Sequence, residues 1–89
     1  MNNLRSIKKD VIFLTNEVIS DCWISLYYDK NADEVNSIIN DAIALSDKLF
    51  ADINNYPKGK GEAKKFFKVV RKELITGIDG FFKRINNLK

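Results

Sequence analysis

Apolar residues recur every three or four positions in three long stretches of this chain, and two short breaks separate the stretches. This spacing places the apolar side chains of each stretch on one side of an α-helix, whereas the apolar residues of a β-strand alternate. The second break contains the only proline, which cannot continue a helix. The pattern therefore predicts three helices, over about 3–28, 32–54 and 62–88.

Short connections make consecutive helices lie side by side and run in opposite directions. The predicted fold is all-α, an elongated antiparallel three-helix bundle, and a chain of 89 residues fits one domain that spans 1–89. Asn31 is expected to cap the second helix, with Glu34 at the position of a capping-box acid.

Each predicted helix has an apolar side that is expected to form the core. On the first helix, Ile12, Ile19 and Trp23 widen this side to about half the circumference. Its centre is expected to bear Leu4, Ile7, Val11, Leu14, Val18, Cys22 and Leu26. The second helix is expected to bury Val35, Ile38, Ile39, Ala42, Ile43, Leu45, Leu49, Phe50 and Ile53. The third is expected to bury Ala63, Phe67, Val70, Leu74, Gly77, Phe81, Ile85 and Leu88.

Two glycines interrupt the third apolar stripe, in the segment ELITGIDGFF. Because Phe81 and Ile85 keep the periodicity beyond both glycines, the helix is expected to continue through them. Gly77 falls inside the apolar stripe, and parallel first and third helices would bring it level with Trp23. We therefore predict that Gly77 is a packing notch that accommodates the Trp23 side chain.

The chain contains no histidine and a single cysteine, which excludes several kinds of site. Ser-His-Asp and Cys-His catalytic arrangements, zinc sites of the Cys/His type and Glu-x-x-His di-iron sites all need residues that are absent. Cys22 lies at the centre of the apolar side of the first helix, where a buried structural thiol is expected. The sequence predicts no enzyme, no cofactor and no metal site.

Carboxylates alone are the alternative source of chemistry, since they can act as acids and bases or bind Mg²⁺. Asp10, Glu17 and Asp21 form an acidic stripe at the edge of the apolar side, where solvated or ion-paired acids are usual. The loop PKGKGE, 57–62, has glycines and lysines, but no strand precedes it and the Walker spacing is absent. A basic linker is the expected structure there.

No apolar run approaches the roughly 20 residues that a membrane helix needs, and none is long enough for a signal-peptide core. One cysteine cannot form an internal disulfide, so secretion gains no support. A cytoplasmic protein is the expectation.

The charge of the chain is unevenly distributed. Residues 1–57 carry five basic and nine acidic residues, whereas residues 58–89 carry ten basic and three acidic ones. Several basic side chains lie on one side of the third helix, together with Lys60 and Lys83. They define a candidate nucleic-acid face: Lys64, Lys65, Lys68, Arg71 and Lys72. Such a face can follow a phosphate backbone. The alternatives are a solvated face, or ion pairs from Lys64 and Arg71 to acids of the first two helices.

Large apolar residues also lie away from the predicted core. Phe13 and Ile24 point outward on the first helix, with Tyr27 and Tyr28 beside them. Two large apolar residues eleven positions apart on one helix face begin a patch that another polypeptide can cover. These four residues are the candidate partner face, and a homodimer or another protein is the expected partner.

The segments NEVISDC and VRKELITGIDGFFKRI are similar to small uncharacterised bacterial helical proteins of about this size. The resemblance covers most of the chain and implies no activity and no functional residue. The sequence as a whole predicts a protein interaction or assembly module that self-associates, with a nucleic-acid-associated protein as the alternative.

Overall fold

The computed structural model describes residues 4–56 and 61–88, and residues 57–60 of the predicted basic linker, 57–62, lie outside them. Three helices follow one another: α1 is Leu4–Tyr27, α2 is Ala32–Asn54 and α3 is Glu62–Asn86. No strand occurs in the described ranges. The predicted all-α fold is confirmed, and the predicted helix limits differ from the observed ones by at most two residues.

The turn between α1 and α2 is closed by backbone hydrogen bonds and a side-chain cap. The Asp29 N–H donates to the Leu26 carbonyl at 3.1 Å, and the Lys30 N–H donates to the Ser25 carbonyl at 3.0 Å. This is a Schellman motif, in which Asp29 takes the left-handed position, at φ 57°. The predicted cap is confirmed, since Asn31 Oδ1 accepts a hydrogen bond of 3.2 Å from the N–H of Glu34.

The three helices pack against one another around one apolar core. The core consists of Ile7, Val11, Val18, Cys22, Val35, Ile38, Ala42, Leu49, Ile53, Phe67, Val70, Leu74 and Ile78. Within the described residues, no buried side-chain nitrogen or oxygen atom lacks a hydrogen-bond partner. The core is thus complete without a ligand.

Ion pairs between helices fix their relative directions. Glu34 at the start of α2 pairs with Arg84 near the end of α3 at 2.8 Å, and the later Lys48 pairs with the earlier Glu73 at 2.6 Å, so α2 and α3 are antiparallel. Because the short turn after α1 makes α1 antiparallel to α2 as well, α1 and α3 run parallel, and Asp10 pairs with Arg71 between them at 2.7 Å. The predicted topology is confirmed. The Glu34 carboxylate therefore binds a side chain of α3, whereas the sequence suggested that it would complete a capping box at the start of α2.

The predicted core was wrong at three positions. Ile12, Trp23 and Ile43 were expected to be buried, but all three are exposed, Trp23 by 64%. A helix in a three-helix bundle touches only two neighbours, so the outer part of a wide apolar side stays in water. Conversely, Ile78 is buried, although it lies outside the predicted stripe.

The predicted pairing of Gly77 with Trp23 was also wrong. α3 is continuous through both glycines, as expected, but Gly77 faces α2. A Cβ built on Gly77 would lie 2.5 Å from Leu45 Cδ2. Gly77 is therefore a notch for a leucine of α2, while Trp23 lies on the outside of α1.

The bundle is elongated. Its principal extents are 50 × 18 × 17 Å, and its Cα radius of gyration is 14.7 Å. A compact domain of this length has a radius of gyration of about 12 Å. Three side-by-side helices of similar length explain the difference.

Candidate protein interaction surface

Large apolar side chains are exposed mainly on one helix. Nine are exposed in the described residues, and six of them belong to α1 or directly follow it. These six define the α1 face: Ile12, Phe13, Trp23, Ile24, Tyr27 and Tyr28. Scattered exposed apolar residues are normal, but six on one helix are a concentration of the kind that marks interaction sites.

The ion pair between Asp10 and Arg71 identifies the two edges of the α1 face. The side of α1 that carries Asp10 adjoins α3, and the opposite side adjoins α2. At about 100° per residue, Phe13 and Ile24 lie toward α3, whereas Ile12 and Trp23 lie toward α2. Each pair is eleven residues apart and therefore within about 20° in direction. Two apolar rows thus run along the exposed side of α1.

Small polar residues separate the two rows, and few charges interrupt them. Asn16 and Ser20 lie between the rows and are exposed. Residues 10–29 contain no lysine or arginine, and Glu17 is the exposed acid in the middle of the helix. The cations of α1 lie near its start, at Arg5, Lys8 and Lys9. The exposed side of α1 thus carries large apolar residues at 12–13 and 23–28, short polar residues and one acid between them, and cations at its start.

The outward side of α2 has a different composition. Its exposed residues are small or polar except for one large apolar residue, Ile43. They are Asp33, Asn36, Asn40, Ile43, Ala44, Asp47 and Ala51. This is the ordinary solvated face of an amphipathic helix. The contrast within one small bundle singles out α1 as the helix whose outer side lacks a partner.

Sequence reasoning found four of the six residues of the α1 face and missed two. Phe13, Ile24, Tyr27 and Tyr28 were predicted to face outward, and all four are exposed. Ile12 and Trp23 were assigned to the core because their direction continues its apolar side. The signal that could have placed them outside is the width of that side, which exceeds what two neighbouring helices cover.

The candidate nucleic-acid face divides into paired and unpaired cations. Arg71 Nη1 lies 2.7 Å from Asp10 Oδ2, as the ion-pair alternative predicted. The other four residues are exposed and form no ion pair in the described part of the chain: Lys64, Lys65, Lys68 and Lys72.

An open groove of about 330 Å³ among these lysines contains the exposed Val69. A second open groove of about 580 Å³ continues from it to Leu45 and Gly77 on the α2 side. The side chain of Lys72 lines both grooves. The basic surface is therefore shallow and solvated, with an apolar strip along it.

The cysteine and the acidic side chains of the described residues are the groups that could carry chemistry. Cys22 is fully buried, and burial raises the pKa of its thiol, an effect that nearby Asp21 increases and Arg84 opposes. A buried thiol with a raised pKa is a poor nucleophile. Within 4–56 and 61–88, no three His, Cys, Asp or Glu side chains are placed to hold a metal ion. None of the three described helices is long and apolar enough to span a membrane.

No protein family, curated protein or solved structure matches this chain. The similarity to small bacterial helical proteins therefore stays a prediction. Among the surfaces described above, the α1 face carries the most exposed large apolar residues.

Proposed function

We infer that this protein is an interaction or assembly module that binds another polypeptide through the α1 face and has no catalytic activity of its own. The observation that supports this function is the concentration of six exposed large apolar side chains on α1. Aromatic residues, four of which occur in this set, dominate the free energy of protein interfaces.

Substitution within the α1 face tests the proposed function. Phe13→Glu and Ile24→Glu place charges in the apolar rows, and both residues are exposed, so the bundle should fold normally. We expect both variants to lose the partners that the wild-type chain binds, because a buried unpaired carboxylate opposes association. The measurement is capture from the native cell lysate, combined with the mass of the pure chain by light scattering.

Val69→Glu is the matched control, since Val69 is an exposed apolar residue of α3 outside the α1 face. Because Val69 lies among the lysines of α3, the comparison is made after nuclease treatment, when this variant should capture the same proteins as the wild-type chain. Two results together would contradict the proposed function. They are a wild-type chain that stays monomeric, and capture of the same proteins by the wild-type chain and by Phe13→Glu.

Association with nucleic acid is the second candidate function, and the four unpaired lysines of α3 favour it. Four phosphate contacts would give an affinity that falls with salt at a logarithmic slope of about −3 to −4. Nuclease treatment of the lysate separates the two functions, because it removes nucleic-acid-bridged material and leaves protein partners bound. Lys65→Glu with Lys68→Glu should weaken only this second kind of binding.

A further inference from the structure

Four residues of the α1 face are arranged symmetrically about Val18, which lies in the second half of α1. Phe13 lies five positions before Val18 and Ile24 lies six positions after it, both on the edge toward α3. Ile12 lies six positions before Val18 and Trp23 lies five positions after it, both on the edge toward α2. Each edge therefore carries one large apolar residue before Val18 and one after it, at nearly equal distances.

We propose that the α1 face binds a second copy of itself, with the two α1 helices antiparallel about a twofold axis level with Val18. This proposal rests on the proposed function and names the partner of the same surface. A twofold axis perpendicular to the plane of two antiparallel helices keeps each edge on its own side of the interface. Phe13 then meets Ile24 of the second copy on one edge, and Ile12 meets Trp23 of the second copy on the other.

The residues on either side of Val18 allow the two copies to approach closely. Asn16 and Ser20 lie two positions on either side of Val18 and meet each other across the axis. Both are short polar residues, so the helices can come close and the side chains can hydrogen-bond. Glu17 lies toward the α3 edge, where its carboxylate stays in water at the rim and repulsion between the two copies is screened.

Charge at the helix ends favours the antiparallel arrangement. Lys9 and Tyr27 both lie nine positions from Val18, so each lysine faces an aromatic ring of the second copy, as in cation–π pairs. The exposed Arg5 and Lys9 also approach Asp29 and the negative end of the other α1 helix. A parallel arrangement would instead bring the cations of both copies together.

The available area comes close to what a stable dimer requires. The four aromatic residues of the α1 face are 62–81% exposed. With 150–250 Å² for each aromatic side chain, they offer roughly 400–700 Å² per copy, before the half-exposed Ile12 and Ile24 are added. Stable interfaces bury about 800 Å² per partner. The α1 face therefore approaches a standard interface by itself.

The competing arrangement places the α1 face of one copy on the lysines of the next. It would bring Lys65, Lys68 and Lys72 against an apolar surface on which Glu17 is the central acid. Such a head-to-tail contact leaves both outer surfaces unsatisfied and continues into a filament. The antiparallel pair buries the same surface on both copies and closes at two.

Complementary charges test the proposed register. Phe13→Glu and Ile24→Lys should each raise the dimer Kd by about 100-fold or more, because each change acts twice in a symmetric interface. Mixing the two variants should restore association. In the mixed dimer, one edge contact joins the new carboxylate to the new ammonium, and its symmetry mate keeps native Phe13 and Ile24. Native mass spectrometry, with one variant isotope-labelled, identifies the mixed dimer.

The matched control is a mixture of Phe13→Glu and Ile12→Lys, since Ile12 is also exposed. A parallel twofold dimer would place Phe13 beside Ile12 of the second copy, whereas the antiparallel dimer does not, so the mixture should stay monomeric. Dimer formation by this control mixture would overturn the antiparallel register. Failure of Phe13→Glu and Ile24→Lys to form a mixed dimer would overturn it as well. A mass that keeps growing with concentration would also overturn it, in favour of the head-to-tail contact.

A wild-type chain that stays monomeric up to about 1 mM would overturn self-recognition as a whole. The proposed function would survive that result if Phe13→Glu still abolished capture of a different protein. At concentrations below the dimer Kd of the wild-type chain, the helical circular dichroism and unfolding midpoint of every variant should equal those of the wild type; above it, only the wild-type midpoint should rise with concentration.

Discussion

Gly77 and Gly80 lie in the same helix but in different surroundings. A Cβ on Gly80 would have no other atom within 4 Å, whereas a Cβ on Gly77 would collide with the end of the Leu45 side chain. Both glycines have ordinary helical backbone conformation, since Gly61 is the glycine that has a positive φ in the described chain. Only Gly77 is therefore explained by packing.

Substitution of the two glycines by alanine should separate their roles. Gly80→Ala is expected to stabilise the bundle by about 1 kcal/mol, the difference in helix propensity between the two residues. Gly77→Ala should gain less, because the half-buried Leu45 must change its rotamer. Urea unfolding of both variants gives the comparison. A stabilisation by Gly77→Ala that equals or exceeds that of Gly80→Ala would show that Leu45 moves at no cost.

At the scale of helices, Arg84 is the main polar link between α3 and α2. Its guanidinium donates to Glu34 at 2.8 and 3.0 Å, to Asp41 at 2.8 Å and to the Ser37 hydroxyl at 3.1 Å. Hydrogen bonds to Asp41 and Glu34 raise the pKa of Arg84, whose guanidinium is charged in proteins even without such partners.

Arg84→Ala should lower the free energy of unfolding by about 1 kcal/mol, because it removes a partly exposed network of several hydrogen bonds. Arg84→Lys should recover only part of the loss, since one ammonium cannot span both carboxylates in the same way. The neighbouring Lys83→Ala serves as control, because the Lys83–Asp79 pair is exposed and lies within one helix. Equal losses for Arg84→Ala and Lys83→Ala in urea unfolding would contradict this role.

The sequence predicted the helices well because their causes are local. Periodicity, a proline break and the Asn31 cap all act within a few residues of the helix ends. The exposure of Ile12 and Trp23 could not be predicted in this way, because it depends on how many neighbours α1 has. The partners of Arg84 could not be predicted either, since Glu34 lies fifty positions away and the charge pattern offers many acids.

At the scale of the whole molecule, the elongated shape determines how mass and length change together. One copy measures 50 Å along its long axis and 18 Å across. Two copies joined along antiparallel α1 helices would keep a length near that of one copy and gain width. Two copies joined end to end would instead reach about 100 Å, twice the long axis of one.

Small-angle X-ray scattering over a concentration series should therefore show the mass doubling while the maximum dimension changes little. Phe13→Glu at the same concentrations provides the monomer reference. A maximum dimension that doubles with the mass would contradict side-by-side packing through the α1 face.

The exposed position of Trp23 makes the chain's only tryptophan an unusual optical probe. Its indole ring is already in contact with water in the folded single copy, so unfolding should change its emission wavelength only slightly. Covering the α1 face, in contrast, should shift the emission to the blue and shield the ring from iodide quenching. The intrinsic fluorescence of this protein should consequently report whether the α1 face is covered. The same signal should report only weakly whether the chain is folded.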